Sequence, residues 1–352
     1  MRRSIRGVLI AAAVFAAAAA SIRAQPAPAG GAALETLRVQ RNIYAIFGAG
    51  GNVTVQVGDD GVLVVDSGLA ASAGPLLAEV RKLSTRPIRF LINTHAHPDH
   101  VGGNVAFSSA PVDPRPDFAP AAAAAAADPL QPLNIIAHAH VLNRMTAALP
   151  PLAAGQTGGS ERLRGMPIDE YFVPTKDMHF NGEAVVLYYE PNAHTDGDSF
   201  VLFRGSDVVS AGDIFTPGSY PFIDVAAGGS VQGEIAALNH LLQLAVPAHT
   251  QEGGTYIVPG HGRISDEADV VEFRDMIVIV RDRVQDMIKK RMTLDQIKAA
   301  RPTRDYDPQY VTAASFVKAD QFVEAIHKGL TAAAPAGPAS PPKAAAGKRQ
   351  GR

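Results

Sequence analysis

The sequence predicts a mixed α/β fold in which two β-sheets pack together and helices lie outside them. Apolar, β-branched segments separated by glycine-rich turns recur in both halves of the chain, and each half passes from strands into helices. Of the 352 residues, 47% are hydrophobic and 19% are charged, which is ample apolar material for one large core or two smaller ones. We therefore expect one catalytic domain with tails.

In the first half, glycine-rich turns at 48–51 and 58–61 separate the first three strands and indicate hairpins. The elements predicted here are strands over 39–47, 53–57, 62–66 and 88–93, a helix over 75–83, and a strand running into a helix over 134–145. Those predicted in the second half are strands over 184–189, 199–204, 207–210 and 255–258, and helices over 235–245, 267–292 and 313–330. The apolar stripe of the long helix over 267–292 indicates packing against the core.

Several segments lie outside the core of the catalytic domain, which we place at 36–331. Residues 25–35 are predicted to be a linker. The Pro/Ala-rich composition of 108–132 and 332–352 lacks the side chains that bury a core, so we interpret the first as an inserted loop and the second as a disordered tail. Residues 150–160 have a similar character and are predicted to form a second inserted loop.

The first 24 residues predict export. An arginine-containing start precedes a small apolar run over 7–20, and Ala24 offers a cleavage site, so the mature chain would begin at Gln25. The run is shorter than the roughly 20 residues that span a bilayer, which makes a retained membrane anchor the weaker interpretation. Both twin-arginine and general secretory export fit this start. We expect a periplasmic or secreted protein.

Composition also excludes some functions. The formal net charge is −2 and no basic stripe occurs in the core region, so nucleic acid is not an expected partner. The chain has no cysteine, which excludes disulfides, cysteine-ligated metals and thiol nucleophiles. We expect a small-molecule substrate.

The most informative motif follows the strand predicted over 88–93. His95, His97, Asp99 and His100 place four potential ligands within six residues. Imidazole and carboxylate suit zinc, iron or manganese. Four such side chains in so short a segment do not easily bind one ion, so two ions sharing the segment is the natural solution.

Three further candidate ligands follow other predicted strands. His194, Asp213 and His261 each come directly after an apolar segment, and strand ends can deliver them to one rim. Glycines beside them allow close approach of the backbone: Gly212, Gly260 and Gly262.

This order, H-x-H-x-D-H followed by a histidine, an aspartate in Gly-Asp and a histidine in Gly-His, resembles the metallo-β-lactamase superfamily over about residues 36–265. Asp66, in Val-Val-Asp-Ser-Gly, is similar to that family's early aspartate. The resemblance implies a four-layer αββα sandwich and a dinuclear zinc hydrolase, with iron or manganese as alternative metals. The implied ligands are His95, His97 and His194 for the first metal, Asp99, His100 and His261 for the second, and Asp213 as the bridge.

The resemblance further implies that a metal-activated hydroxide attacks a carbonyl carbon of an ester, lactone, thioester or amide. Asp99 is the implied catalytic residue, because it can hold the water and handle its proton, and Asp66 would orient a ligand. Near the site, Asn104, Tyr220 and Phe222 are candidates for the substrate pocket, with helix capping as the alternative for Asn104 and plain packing for the other two.

Other interpretations stay open at this point. A β-lactamase proper is one, although the segment after Asp213, Ile-Phe-Thr-Pro, lacks the lysine that grips a β-lactam carboxylate in many of those enzymes. A mononuclear iron sulfur dioxygenase is another, and a metal-binding protein without turnover is a third. His138 and His140 have the alternating spacing of a separate metal site, but they match no ligand position of the family.

Overall fold

The computed structural model describes residues 33–110, 133–150, 163–251, 253–312 and 315–331. The predicted leader and C-terminal tail lie outside these residues, as do nearly all of the predicted linker and of both predicted inserted loops. None of the described helices is long and apolar enough to cross a membrane.

Seven strands form the first sheet, in which the spatial order follows the chain order. They are β1 (Glu35–Gln40), β2 (Ile43–Phe47), β3 (Val53–Gly58), β4 (Gly61–Val65), β5 (Ile88–Ile92), β6 (Asn134–His138) and β7 (Asp169–Tyr171). Neighbours are antiparallel from β1 to β4 and parallel from β4 to β7.

Five strands form the second sheet, in the order β12-β11-β10-β9-β8. They are β8 (Thr175–Phe180), β9 (Glu183–Glu190), β10 (Asp198–Phe203), β11 (Val208–Gly212) and β12 (Tyr256–Pro259). Only β11 and β12 pair in parallel among these five strands. Consequently the carboxyl ends of β11 and β12 lie side by side, as do those of β4 and β5 in the first sheet.

Nine α-helices complete the described part of the chain. They are α1 (Ala73–Leu83), α2 (Pro98–Val101), α3 (Asn104–Ser109), α4 (Ala139–Ala147), α5 (Val231–Leu244), α6 (Glu267–Lys289), α7 (Leu294–Ala300), α8 (Asp307–Tyr310) and α9 (Ala319–Thr331). Because α3 ends at Ser109, the first two residues of the predicted insertion at 108–132 belong to a helix.

Alternate side chains of the buried strands face opposite layers. In β4, Leu63 packs between the sheets, whereas Val62 and Val64 pack on the side of α1. In β10, Val201 packs between the sheets, whereas Phe200 packs in the cluster that contains residues of α5 and α6. This two-residue alternation buries both faces of each sheet and gives the αββα sandwich that the family resemblance implied.

Several element predictions need correction. The strand predicted over 39–47 is two strands, because Arg41 adopts a left-handed φ of 46° and turns the chain into a hairpin. The predictions missed β7, β8, α2, α7 and α8, and gave no bounds for α3. Strand β8 lies at a sheet edge and alternates exposed with half-buried side chains, so it has no apolar run to detect. The last long helix begins at Ala319 rather than at 313.

Candidate metal centre

The seven predicted ligands meet at one edge of the sandwich, where strand ends from both sheets come together. The motif over 95–100 follows β5, His194 lies in the turn between β9 and β10, Asp213 follows β11, and His261 follows β12. The candidate ligand atoms form two groups, each spanning at most 4.8 Å: His95, His97, His194 and Asp213 in the first group, and Asp99, His100 and His261 in the second.

Local structure within the motif separates the two groups. His95 and His97 lie in the loop after β5, where His97 keeps an extended backbone with φ −70° and ψ 145°. Helix α2 then begins at Pro98, a residue suited to the first position of a helix, and it carries Asp99 and His100. The change from loop to helix sends these two side chains to the second group.

Asp213 faces both groups. Its Oδ2 lies 3.7 Å from His194 Nε2 and 4.0 Å from His95 Nε2, while its Oδ1 lies 3.1 Å from His100 Nε2. In the second group, His261 Nε2 lies 3.2 Å from Asp99 Oδ2. One carboxylate oxygen towards each group is the arrangement that a bridging ligand needs.

One buried atom of the first group supports metal binding. His95 Nε2 has no hydrogen-bond partner among the described residues. Buried polar atoms in folded proteins nearly always have a partner, since leaving one unpaired costs about 1–3 kcal/mol. Histidine and carboxylate donors suit divalent zinc, iron or manganese. The residues therefore fit a divalent metal ion.

Burial and charge divide the histidines into two states in the metal-free protein. Burial lowers the pKa of His95 well below its usual value and the pKa of His194 to about 4, so both imidazoles are neutral, the form that binds a metal. Burial opposes charge on His261 as well, but Asp213 outweighs it and raises the pKa of His261 to about 9. A cation at the second group therefore displaces protons.

Asp66 orients the motif from behind, as the resemblance implied. It follows β4 with a left-handed φ of 64° and is 2% exposed. Its carboxylate accepts hydrogen bonds from Thr94 N at 2.8 Å and Thr94 Oγ1 at 2.7 Å, and it lies 2.8 Å from His100 Nδ1. With Nδ1 of His100 held in this way, Nε2 is the nitrogen directed into the second group.

Sequence reasoning missed two groups that hold the first-group histidines. Asp224 Oδ2 lies 3.2 Å from His97 Nε2, and the backbone carbonyl of Phe222 hydrogen-bonds His194 Nδ1. Both come from the loop between β11 and α5. No motif marks this loop in the sequence, and a backbone carbonyl carries no residue signal.

Close backbone approach beside the ligands confirms the predicted role of two glycines. A Cβ atom on Gly260 would lie 1.9 Å from Asp213 Oδ1. Gly212 has a left-handed φ of 53° and packs against Thr94. Any larger residue at Gly260 would displace the carboxylate that faces both groups.

Of the three predicted pocket residues, only Phe222 borders the centre. Its ring lies 5.9 Å from that of His97 and 5.7 Å from that of His194. The prediction for Asn104 is wrong, because this side chain is 1% exposed and lies beneath the motif. It accepts a hydrogen bond from Ser67 Oγ and donates one to Asn93 Oδ1.

The prediction for Tyr220 is also wrong. Its side chain is fully buried, and its hydroxyl donates towards the Thr303 carbonyl and an oxygen of Asp307 in the C-terminal helical region. His138 and His140 belong to neither group of candidate ligands. The His138 ring instead stacks on Tyr189, with 3.6 Å between the ring centroids.

The family model for the metallo-beta-lactamase superfamily matches residues 47–261, which include all seven candidate ligands. Among curated proteins, a linear primary-alkylsulfatase from Pseudomonas sp. (strain ATCC 19151) is 43% identical over 51 residues, which are 14% of this chain and 10% of that protein. The chain thus matches a small part of this relative.

Solved structures share the fold. The stereoselective inverting sec-alkylsulfatase Pisa1 from Pseudomonas sp. superposes with a TM-score of 0.61 at 15% identity, covering 84% of this chain and 50% of that chain. A metallo-beta-lactamase from Pontibacter korlensis has a TM-score of 0.48 at 14% identity, covering 69% of this chain and 98% of that one. The chain spans about half the length of the alkylsulfatase structure.

Proposed function

This chain belongs to the metallo-beta-lactamase superfamily, and from that membership and its seven-residue centre we propose that it is a dinuclear zinc hydrolase cleaving an ester, lactone, thioester or amide. The observation that carries the proposal is the completeness of both ligand groups around Asp213. When bound, the metal pair supplies Lewis acidity and lowers the pKa of a water molecule to near neutrality.

The residues around the pair divide the remaining work. Asp213 keeps the two groups in register, and Asp224 and Asp66 fix the rings of His97 and His100. Asp99 Oδ1 has no partner among the described residues, so it is the oxygen that can hold the attacking water and take its proton. Neighbouring His100 and His261 outweigh the effect of burial and hold the pKa of Asp99 below its usual value, which keeps the acceptor ionised.

A second candidate is hydrolysis of an alkyl sulfate ester. The 43% identity with the linear primary-alkylsulfatase favours it, although that match spans only 51 residues. A β-lactamase proper is a weaker candidate, because no lysine occurs at 214–217 to bind a β-lactam carboxylate. The mononuclear iron sulfur dioxygenase needs one metal only, and the complete second group argues against it.

A substrate panel with zinc-loaded protein tests these candidates together. The panel contains acyl esters, acyl lactones, thioesters, nitrocefin, bis-p-nitrophenyl phosphate and dodecyl sulfate. We expect turnover of a carbonyl substrate that Asp99→Ala abolishes and that substitution of exposed Asp177 by alanine leaves intact. If dodecyl sulfate alone is turned over, the substrate is an alkyl sulfate ester and the carbonyl assignment is wrong. If no substrate in the panel is cleaved, the proposal of hydrolysis is contradicted.

We further propose that the protein acts in the periplasm or outside the cell on a small molecule, without a nucleic-acid partner or a stable membrane anchor. The support is the leader-like composition of the first 24 residues and the lack of a basic stripe in the sequence of the core region. N-terminal sequencing of the protein from a periplasmic fraction should begin at Gln25. An intact N terminus in the cytoplasmic fraction would contradict export.

A further inference from the structure

Solvent exposure is uneven among the seven candidate ligands. The side chain of His261 is 20% exposed, whereas the other six side chains are at most 2% exposed. Among the described residues, the side of the centre at which His261 lies is thus the side open to solvent.

An aromatic residue from the C-terminal region stands at this opening. The ring of Phe316 lies 5.5 Å from the ring of His261, at an interplanar angle of 56°, and it is partly exposed. Phe316 lies beyond the stretch 47–261 that the family model matches. The residue next to the opening is thus a feature that the family match does not contain.

Contacts on both sides hold Phe316 in place. Its neighbours Ser315 and Val317 are buried, and Ser315 Oγ lies 2.8 Å from the Tyr310 carbonyl oxygen and 3.3 Å from that of Gly218. Gly218 belongs to the same loop after β11 that carries Phe222. These hydrogen bonds tie the residue next to Phe316 to the loop beside the site.

Tyr220 strengthens the same connection. Its ring stacks on Tyr310 at 5.3 Å and on Phe322 of α9 at 5.1 Å. These stacked rings join the loop after β11 to the helices that flank Phe316. The buried ring of Tyr220 therefore packs between elements that precede and follow Phe316 in the chain.

Two phenyl rings consequently flank the two ligand groups. Phe222 contacts the rings of His97 and His194 in the first group, and Phe316 contacts His261 in the second. A reacting polar group can lie over the ligands while an apolar chain leaves along Phe316. Apolar surface buried there adds up to about fourfold in affinity for each methylene group.

We propose that Phe316 is a specificity-determining residue that binds the apolar chain of the substrate, so that the enzyme prefers acyl esters or lactones with chains of about eight carbons over their acetyl counterparts. This inference rests on the proposed hydrolytic function. It assigns the C-terminal helical region a part in substrate selection, in addition to packing.

The test compares chain lengths in three variants of the zinc-loaded protein: Phe316→Ala, Phe316→Trp and Phe172→Ala. Phe172 is 80% exposed after β7 and serves as the matched control. We expect Phe316→Ala to lower kcat/KM for p-nitrophenyl octanoate at least about tenfold, mainly through KM, and to change kcat/KM for p-nitrophenyl acetate by less than about twofold. Phe316→Trp should retain the octanoate preference, and Phe172→Ala should match the wild type.

A binding measurement separates this inference from the proposed function. Titration calorimetry with octanoate and acetate, which are product-like carboxylates, should give tighter octanoate binding that Phe316→Ala weakens by a similar factor. If the protein cleaves neither ester, the proposal of ester hydrolysis is contradicted, and the titration alone decides the role of Phe316. Two results would overturn the role of Phe316. One is an equal loss of kcat/KM for the octanoate and acetate esters in Phe316→Ala, and the other is octanoate binding to the wild type no more tightly than acetate.

Discussion

His97 Nε2 lies 3.2 Å from Asp224 Oδ2, and the other ring nitrogen, Nδ1, faces His194 Nε2 at 2.8 Å inside the first ligand group. A carboxylate at Nε2 stabilises the tautomer that carries its proton there, which leaves Nδ1 free of a proton and directed at the other ligands. Asp224, which is not a candidate ligand, therefore pre-organises the first ligand group.

Replacing Asp224 should weaken the first metal site without unfolding the protein. Asp224→Asn removes the charge that fixes the tautomer of His97, so we expect metal affinity at the first group to fall by about 10–100-fold. Competition with a chromophoric chelator measures this affinity. The control is Asp177→Asn, an exposed aspartate of β8, and equal affinities in the two variants would refute the role of Asp224.

Asp66 should matter for stability even without metal. Asp66→Ala leaves the buried donors of Thr94 and His100 unpaired and puts a Cβ-bearing residue with no side-chain hydrogen bond at φ 64°. We expect the free energy of unfolding to fall by about 3–5 kcal/mol. Urea denaturation in the presence of EDTA tests this, with fully exposed Asp59→Ala as the neutral control. A wild-type midpoint for Asp66→Ala would contradict the orienting role.

Asp99→Asn should lower turnover even when both ligand groups are loaded with metal. The amide keeps the size of the side chain but cannot accept a proton, so kcat should fall by at least about 100-fold in excess zinc, which compensates for the weaker ligand. Steady-state kinetics and metal analysis of the same sample are needed. A variant that keeps both metals and loses less than about tenfold in kcat would show that another group handles the proton.

His138 should make the protein sensitive to acid. Burial, followed by the nearby His140, lowers the pKa of His138 to about 4. The unfolded chain takes up a proton near pH 6.5 and the folded chain only near pH 4, so stability is lost as the pH falls through that interval.

The variant His138→Phe can keep the stack on Tyr189 and removes the titrating group. We expect it to reduce the loss of stability between pH 6.5 and 4 by about 1–3 kcal/mol, measured by denaturant unfolding with EDTA present. His179→Phe, at an exposed position of β8, should keep the wild-type pH dependence. The same loss in His138→Phe as in the wild type would contradict the assignment.

The sequence was sufficient to predict which seven side chains meet at one site, because they stand in a short motif and directly after apolar strands. His194, Asp213 and His261 are far apart in the chain, yet each follows a recognisable strand, and strand ends meet at one rim. The layers were predictable from composition, since β4 is apolar throughout and β10 is apolar over its last four residues, and such segments are buried on both faces.

Residues that act through the fold could not be predicted in this way. Asp224 and Phe316 come near the centre only when a loop and a C-terminal segment fold against it. Asp224 lies in no patterned stretch, and Phe316 lies within the helix predicted over 313–330, which in fact begins at Ala319. Tyr220 shows the converse, because its position soon after Asp213 indicates the pocket while stacking on Tyr310 and Phe322 draws it into the core. Chain proximity to a ligand does not determine which way a side chain points.

The number of tightly bound divalent ions per chain tests the central claim most directly. After zinc loading and exhaustive dialysis, elemental analysis should find two zinc ions per wild-type chain. It should find about one in His261→Ala, in which the first group is intact. One ion in the saturated wild type, or two ions retained in His261→Ala, would contradict a centre built from two ligand groups that share Asp213.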